Sequence, residues 1–87
     1  MNNGKKLVAK SDIRIPHQGI RLDRFMILPD LFSIPRGTKG EIKEVTGTEV
    51  KVHFTFSQRG RNFNYDVTQL NIWIRQEWIP RLFDYTF

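Results

Sequence analysis

Across residues 49–56 every second side chain is apolar: Val50, Val52, Phe54 and Phe56 alternate with Glu49, Lys51, His53 and Thr55. A period of two marks a strand with one buried and one wet face, and this is its cleanest instance in the chain. The preceding run, Gly40-Glu41-Ile42-Lys43-Glu44-Val45, reads as the partner strand, joined through a turn at Thr46-Gly47-Thr48. Ile42 and Val45 stand three residues apart, which breaks alternation. An extra residue near Lys43-Glu44 would return both to the core side and bend the strand, as a β-bulge does. Such bends let a short sheet curl toward a barrel. Before this hairpin, Arg36-Gly37-Thr38-Lys39-Gly40 reads as a loop whose two glycines are each free to take a positive φ.

The remaining segments are short. Residues 1–10 carry Lys5, Lys6 and Lys10 and read as a flexible basic tail, with a short strand available at Leu7-Val8-Ala9. Ile13 and Ile15 alternate with Asp12 and Arg14 until Pro16, which lacks the N–H a ladder requires. Phe25-Met26-Ile27-Leu28, closed by Pro29, suits a buried strand, and Leu31-Phe32-Ser33-Ile34 precedes Pro35, which biases Ile34 to extended backbone. Residues 57–62 read as a polar loop or hairpin tip. Phe63, Tyr65 and Val67 alternate as a fourth strand, and Thr68-Gln69-Leu70-Asn71 reads as a one-turn connector anchored by Leu70. Ile72-Trp73-Ile74 makes another short strand. Pro80 argues against a long helix or a central strand after Arg75, so residues 75–87 are expected to be an extended, aromatic closing segment.

Eighty-seven residues bound the chain to one domain with a small core. There are no cysteines, which excludes disulfides, thiolate metal sites and a cysteine nucleophile. A small domain without disulfides is expected in the cytoplasm. Lys5-Lys6 is followed by only three apolar residues before Lys10, too few for a secretory signal, and no run reaches the ~20 apolar residues of a membrane span. Fourteen Lys and Arg against nine Asp and Glu give a net charge of +5 and a pI near 10.0. That balance serves solubility or attracts nucleic acid, acidic proteins or anionic lipid, and charge alone does not choose among them.

The order loop with glycine, strand, tight turn, strand, polar loop, strand, single turn ending in Leu70, short strand resembles the SH3-like barrels. The residues that carry the resemblance are Pro35-Arg36-Gly37-Thr38-Lys39-Gly40-Glu41-Ile42, Val45, Val50-Lys51-Val52-His53-Phe54, Tyr65-Asp66-Val67 and Leu70. KOW-type domains and the SH3-like ferredoxin-docking subunit of photosynthetic NDH complexes share this style. The resemblance implies an all-β fold: a partly open SH3-like barrel of about five strands over residues 11–87, extended by the aromatic C-terminal segment. Very small SH3-like dihydrofolate reductases carry a Val-Gln-Ile-Tyr motif. The matching region here is Tyr65-Asp66-Val67-Thr68, so that activity is not implied.

No catalytic or metal constellation emerges. His17 and His53 lack ligand spacing. A triad of Ser57, His53 and Asp66 lacks a nucleophile-elbow context. Gly37 and Gly40 lack the spacing and Gly-Lys-Ser/Thr ending of a phosphate-binding loop. The chain therefore reads as a non-enzymatic binding module without a cofactor, monomeric or weakly dimeric. Its candidate contacts to nucleic acid or an acidic partner are Arg36, Lys39, Lys43, Lys51, His53, Arg59 and Arg61, with Phe63, Tyr65 or Trp73 available for stacking if exposed. Trp78, Phe83, Tyr85 and Phe87 are a candidate protein interface, or alternatively a strap that completes the core.

Overall fold

The fold is that of a computed structural model, and it describes residues 4–23, 32–56 and 69–86. It is all-β apart from one short helical stretch. The strands are β1 (Lys6–Ala9), β2 (Ile13–Ile15), β3 (Ile20–Leu22), β4 (Phe32–Ile34), β5 (Lys39–Val45), β6 (Glu49–Thr55), β7 (Gln69–Arg75) and β8 (Phe83–Thr86). Six of them form one antiparallel sheet in the order β3-β7-β6-β5-β1-β8, and β2 and β4 pair separately.

The hairpin of β5 and β6 is the middle of that sheet. Val50, Val52 and Phe54 are fully buried, and Phe56 packs partly buried against them. The register runs Ile42↔Val52, then Glu44↔Lys51, so Lys43 is the extra residue of a bulge where the Ile42–Val45 spacing called for one. Ile42 is buried and Val45 packs against the core. The turn is closed by Thr46 rather than by a left-handed glycine. Its hydroxyl accepts the Glu49 N–H at 2.9 Å, and its backbone N–H donates to the Glu49 carbonyl at 2.8 Å. Gly37 takes φ 85°, as a turn residue should. Gly40 does not. It lies inside β5, where a Cβ would fall 2.6 Å from the Phe54 ring, so it serves close packing.

The short strand available at Leu7-Val8-Ala9 is present as β1, paired with β5 on one side and β8 on the other, with Leu7 and Ala9 in the core, so this part of residues 1–10 is not a flexible tail. Two further segments depart from the sequence reading. Gln69-Leu70-Asn71 is not a connector. It begins the seven-residue β7, whose Leu70, Ile72 and Ile74 are fully buried. The single turn lies further along: Gln76–Trp78 forms a 3-10 turn that runs into α1 (Ile79–Leu82). Pro80 sits in the first turn of α1, where its missing N–H has no helical partner to lose. The segment after Arg75 is thus helical first and extended only in β8.

The core lies between the six-stranded sheet, the β2–β4 arm and α1. Ile13, Ile15, Phe32 and Ile34 close it from the arm, and Ile79 closes it from α1. Phe83 stacks on Phe54 at 5.7 Å between centroids. The expected strands at Phe25-Met26-Ile27-Leu28 and at Phe63, Tyr65 and Val67 lie outside the described residues.

Candidate functional site

The pleat that buries Val50, Val52 and Phe54 turns Lys51, His53 and Thr55 to the opposite face of the sheet. Their cross-strand neighbours on β7 are Trp73, Asn71 and Gln69. Arg21 of β3 stands opposite Trp73. Trp73 is flanked by cations, with the Arg21 guanidinium 5.0 Å and the Lys51 ammonium 5.9 Å from its ring centroid. Each cation also has a carboxylate. Arg21 donates to both oxygens of Glu49 at 3.0 Å, and Lys51 lies 3.6 Å from Asp23. The Trp73 indole N–H donates to Asp23 at 3.4 Å.

The titration of these groups reflects the pairing. The Arg21 hydrogen bonds hold the Glu49 carboxyl below its ordinary value and push the guanidinium up. The Lys43 ammonium, 2.7 Å from Glu41, depresses that carboxyl in the same way. Lys43 and Lys51 therefore stand where the sequence put them, on the solvent side, but as members of ion pairs. The His53 ring is also engaged. Its Nδ1–H donates to Asn71 Oδ1 at 2.7 Å, and its Nε2 lies 3.5 Å from the Thr55 hydroxyl.

Arg36 and Lys39 differ. Among the described residues neither forms an ion pair. They flank a cleft of about 520 Å³ lined by residues 35–39 together with Thr55 and Phe56. The loop is fixed both from outside and within itself. Asp12 accepts the Arg36 N–H at 2.7 Å, the Ala9 carbonyl accepts that of Gly37 at 2.9 Å, and Pro35 accepts that of Thr38 at 3.1 Å. With those N–H groups committed, the loop cannot wrap a phosphate in backbone donors. An anion in the cleft would be met by the Arg36 and Lys39 side chains. Among the described residues no carboxylate lines the cleft, although the Asp12 carboxylate accepts the Arg36 backbone N–H.

The four C-terminal aromatics separate. Phe83 is 1% exposed, so the expectation that it forms part of an interface is corrected: pairing of Ala9 with Phe83 turns that side chain inward. Trp78 is half-buried, edge-on to His17 at 5.2 Å, with Arg81 over its ring. Tyr85 remains on the surface at 38% exposed, with the Lys5 ammonium 5.1 Å from its ring. Phe87, Arg59, Arg61, Phe63, Tyr65, Ser57 and Asp66 lie outside the described residues.

Sequence reasoning missed the Arg21–Glu49 pair, the Asp12 anchor and Phe56 as a wall of the cleft. The first two link residues 28 and 24 positions apart, and no local pattern announces them. Phe56 was legible as the last residue of the apolar stripe, where the strand leaves the sheet. Among the described residues no helix is long and apolar enough to cross a membrane, and no three His, Asp or Glu side chains gather as a metal site would require. No protein-family model, curated protein or solved structure matches the chain.

Proposed function

We propose that the chain is a small non-catalytic binding module, an SH3-like partly open barrel that associates with nucleic acid or nucleoprotein through its basic cleft. The strand order supports the barrel. The β5-β6-β7 meander is followed by a single helical turn, and β8 then returns to β1, which itself pairs with β5. The strand at Phe63, Tyr65 and Val67 in the order that suggested the family lies outside the described residues, and the single turn follows β7 and ends at Leu82 instead of Leu70.

One observation carries the binding reading. Arg21, Lys43 and Lys51 on the sheet face are held in ion pairs, whereas Arg36 and Lys39 line one cleft and, among the described residues, neither side chain forms an ion pair. Unpaired cations around a concavity are what a phosphate backbone meets, and such contacts hold a nucleic acid without reading its sequence. Net charge of +5 raises the encounter rate. Fluorescence anisotropy with labelled mixed-sequence DNA and RNA at low salt tests this. Affinity should fall steeply with salt, and the R36A/K39A double variant should reduce the slope of log K against log[salt] by about 1.4–1.8 for two lost phosphate contacts. Absence of binding at low salt, or a double variant with unchanged affinity, would sink the reading.

Tyr85 favours a second reading, a protein adaptor that docks an acidic partner. It is the large apolar side chain that the described surface leaves exposed, and Lys5 beside it supplies positive charge. Y85A should then weaken capture of an acidic protein while leaving oligonucleotide binding intact, as read by pull-down with and without nuclease.

A further inference from the structure

Phe56 gives the cleft a feature that phosphate neutralisation does not need. It is partly buried and packed against the core, its ring stands at 76° to that of Phe32 at 5.7 Å, and it also lines the cleft together with Arg36 and Lys39. The contact with Phe32 and the core holds the ring in place, so an aromatic wall is pre-formed beside Arg36 and Lys39. From this geometry, and resting on the reading above, we infer that the cleft selects single-stranded nucleic acid by stacking an unpaired base on Phe56 while Arg36 and Lys39 hold the flanking phosphates.

The chemistry follows from what each form of nucleic acid exposes. Inside a duplex the base faces are covered by their neighbours, and a protein reaches only phosphates, sugars and base edges. A duplex can therefore touch Arg36 and Lys39 but cannot bring a base face to a ring inside a concavity. An unpaired base can be splayed out and stacked, and stacking tolerates any base because every base has a π-face. The cleft volume of about 520 Å³ leaves room for a base with its sugar. Thr55 adds a hydroxyl on the same wall, already in contact with His53. The Trp73 platform is the weaker stacking site, since Arg21 and Lys51 already lie against that ring.

The probes are a labelled oligothymidylate of about fifteen nucleotides, the matching A·T duplex, and a strand of equal length whose central nucleotides are abasic. Wild-type protein at low salt should bind the oligothymidylate roughly tenfold to a hundredfold more tightly than the duplex. The abasic strand, which keeps its phosphates, should fall to the duplex level. F56L should lose the preference through weaker single-strand binding with unchanged duplex binding, and F56W should keep it. Because Phe56 packs on the core, circular dichroism checks that F56L is folded, and the abasic arm tests the inference without any substitution. Equal binding of all three probes by wild-type protein overturns the inference and leaves the cationic cleft standing. So does a folded F56L that keeps the preference. Absence of binding to every probe overturns the underlying reading as well.

Discussion

At the scale of single residues, two glycines with the same backbone geometry do different work. Gly19 and Gly37 have φ values of 80° and 85°, in the left-handed region that side chains rarely enter. A Cβ on Gly37 would meet open space, whereas one on Gly19 would fall 2.1 Å from Cδ1 of Trp78. Substitution of Gly37 therefore carries only the conformational penalty, about 1–2 kcal/mol. G19A adds displacement of an indole already wedged against His17, and overpacking of this kind typically costs a further ~1–3 kcal/mol. Urea denaturation should show G19A less stable than G37A by at least about 1 kcal/mol. Equal destabilisation would mean that Trp78 can swing away and that its contact with Gly19 is loose. The comparison also bears on the cleft, because Gly37 shapes its loop: G37A should disturb oligonucleotide binding more than G19A does.

At the scale of elements, the C-terminal segment belongs to the core. Ile79 is fully buried, Phe83 stacks on Phe54, and β8 supplies one flank of β1. F83A should cost about 3–5 kcal/mol, a large share of the 5–15 kcal/mol that stabilises an ordinary domain. Truncation after Arg75 should abolish cooperative thermal unfolding by circular dichroism. A truncated chain that still melts cooperatively would show that the segment is an appendage. The sequence made some elements plain and hid others for physical reasons. β6 was legible because its two faces differ sharply in polarity, and the bulge at Lys43 because a strand cannot bury both Ile42 and Val45 without it. The short strand at Leu7-Val8-Ala9 was legible, but Lys5, Lys6 and Lys10 around it made residues 1–10 read as a tail and masked the burial of Leu7 and Ala9. β7 did carry period-two alternation at Leu70, Ile72 and Ile74, but Gln69 and Asn71 on its wet face read as a turn. Of the candidate site, Arg36 and Lys39 were legible as loop cations. Which cations would be neutralised was not, because the pairs Arg21–Glu49 and Lys51–Asp23 exist only once β3, β6 and β7 lie side by side.

At the scale of the whole molecule, the ion pairs of the described residues gather away from the cleft. Glu41, Glu49 and Asp23 on the sheet face and Asp84 on the β8 flank each lie beside a cation, and among the described residues no carboxylate lines the cleft. Exposed pairs add little stability individually, so the effect of this arrangement on the field matters more than its energy. It still leaves a signature in acid. The folded-state pKa values of Glu41 and Glu49 lie below the ordinary 4.5, chiefly through the hydrogen bonds from Lys43 and Arg21. A carboxyl depressed by folding contributes stability that is fully present above its unfolded value and is lost as the pH falls through the folded one. The urea midpoint should accordingly hold level above about pH 5 and decline below about 4.5. E49Q keeps the shape of the side chain but cannot titrate, so its midpoint should be lower at neutral pH and fall less steeply in acid. An E49Q profile parallel to wild type would show that the Arg21 pair does not persist in solution. Because the pair lies on the sheet face and not in the cleft, E49Q should leave the preference for single-stranded over duplex oligonucleotide unchanged. A collapse of that preference would show that the two surfaces are not independent and that the sheet face, with Trp73, takes part in binding.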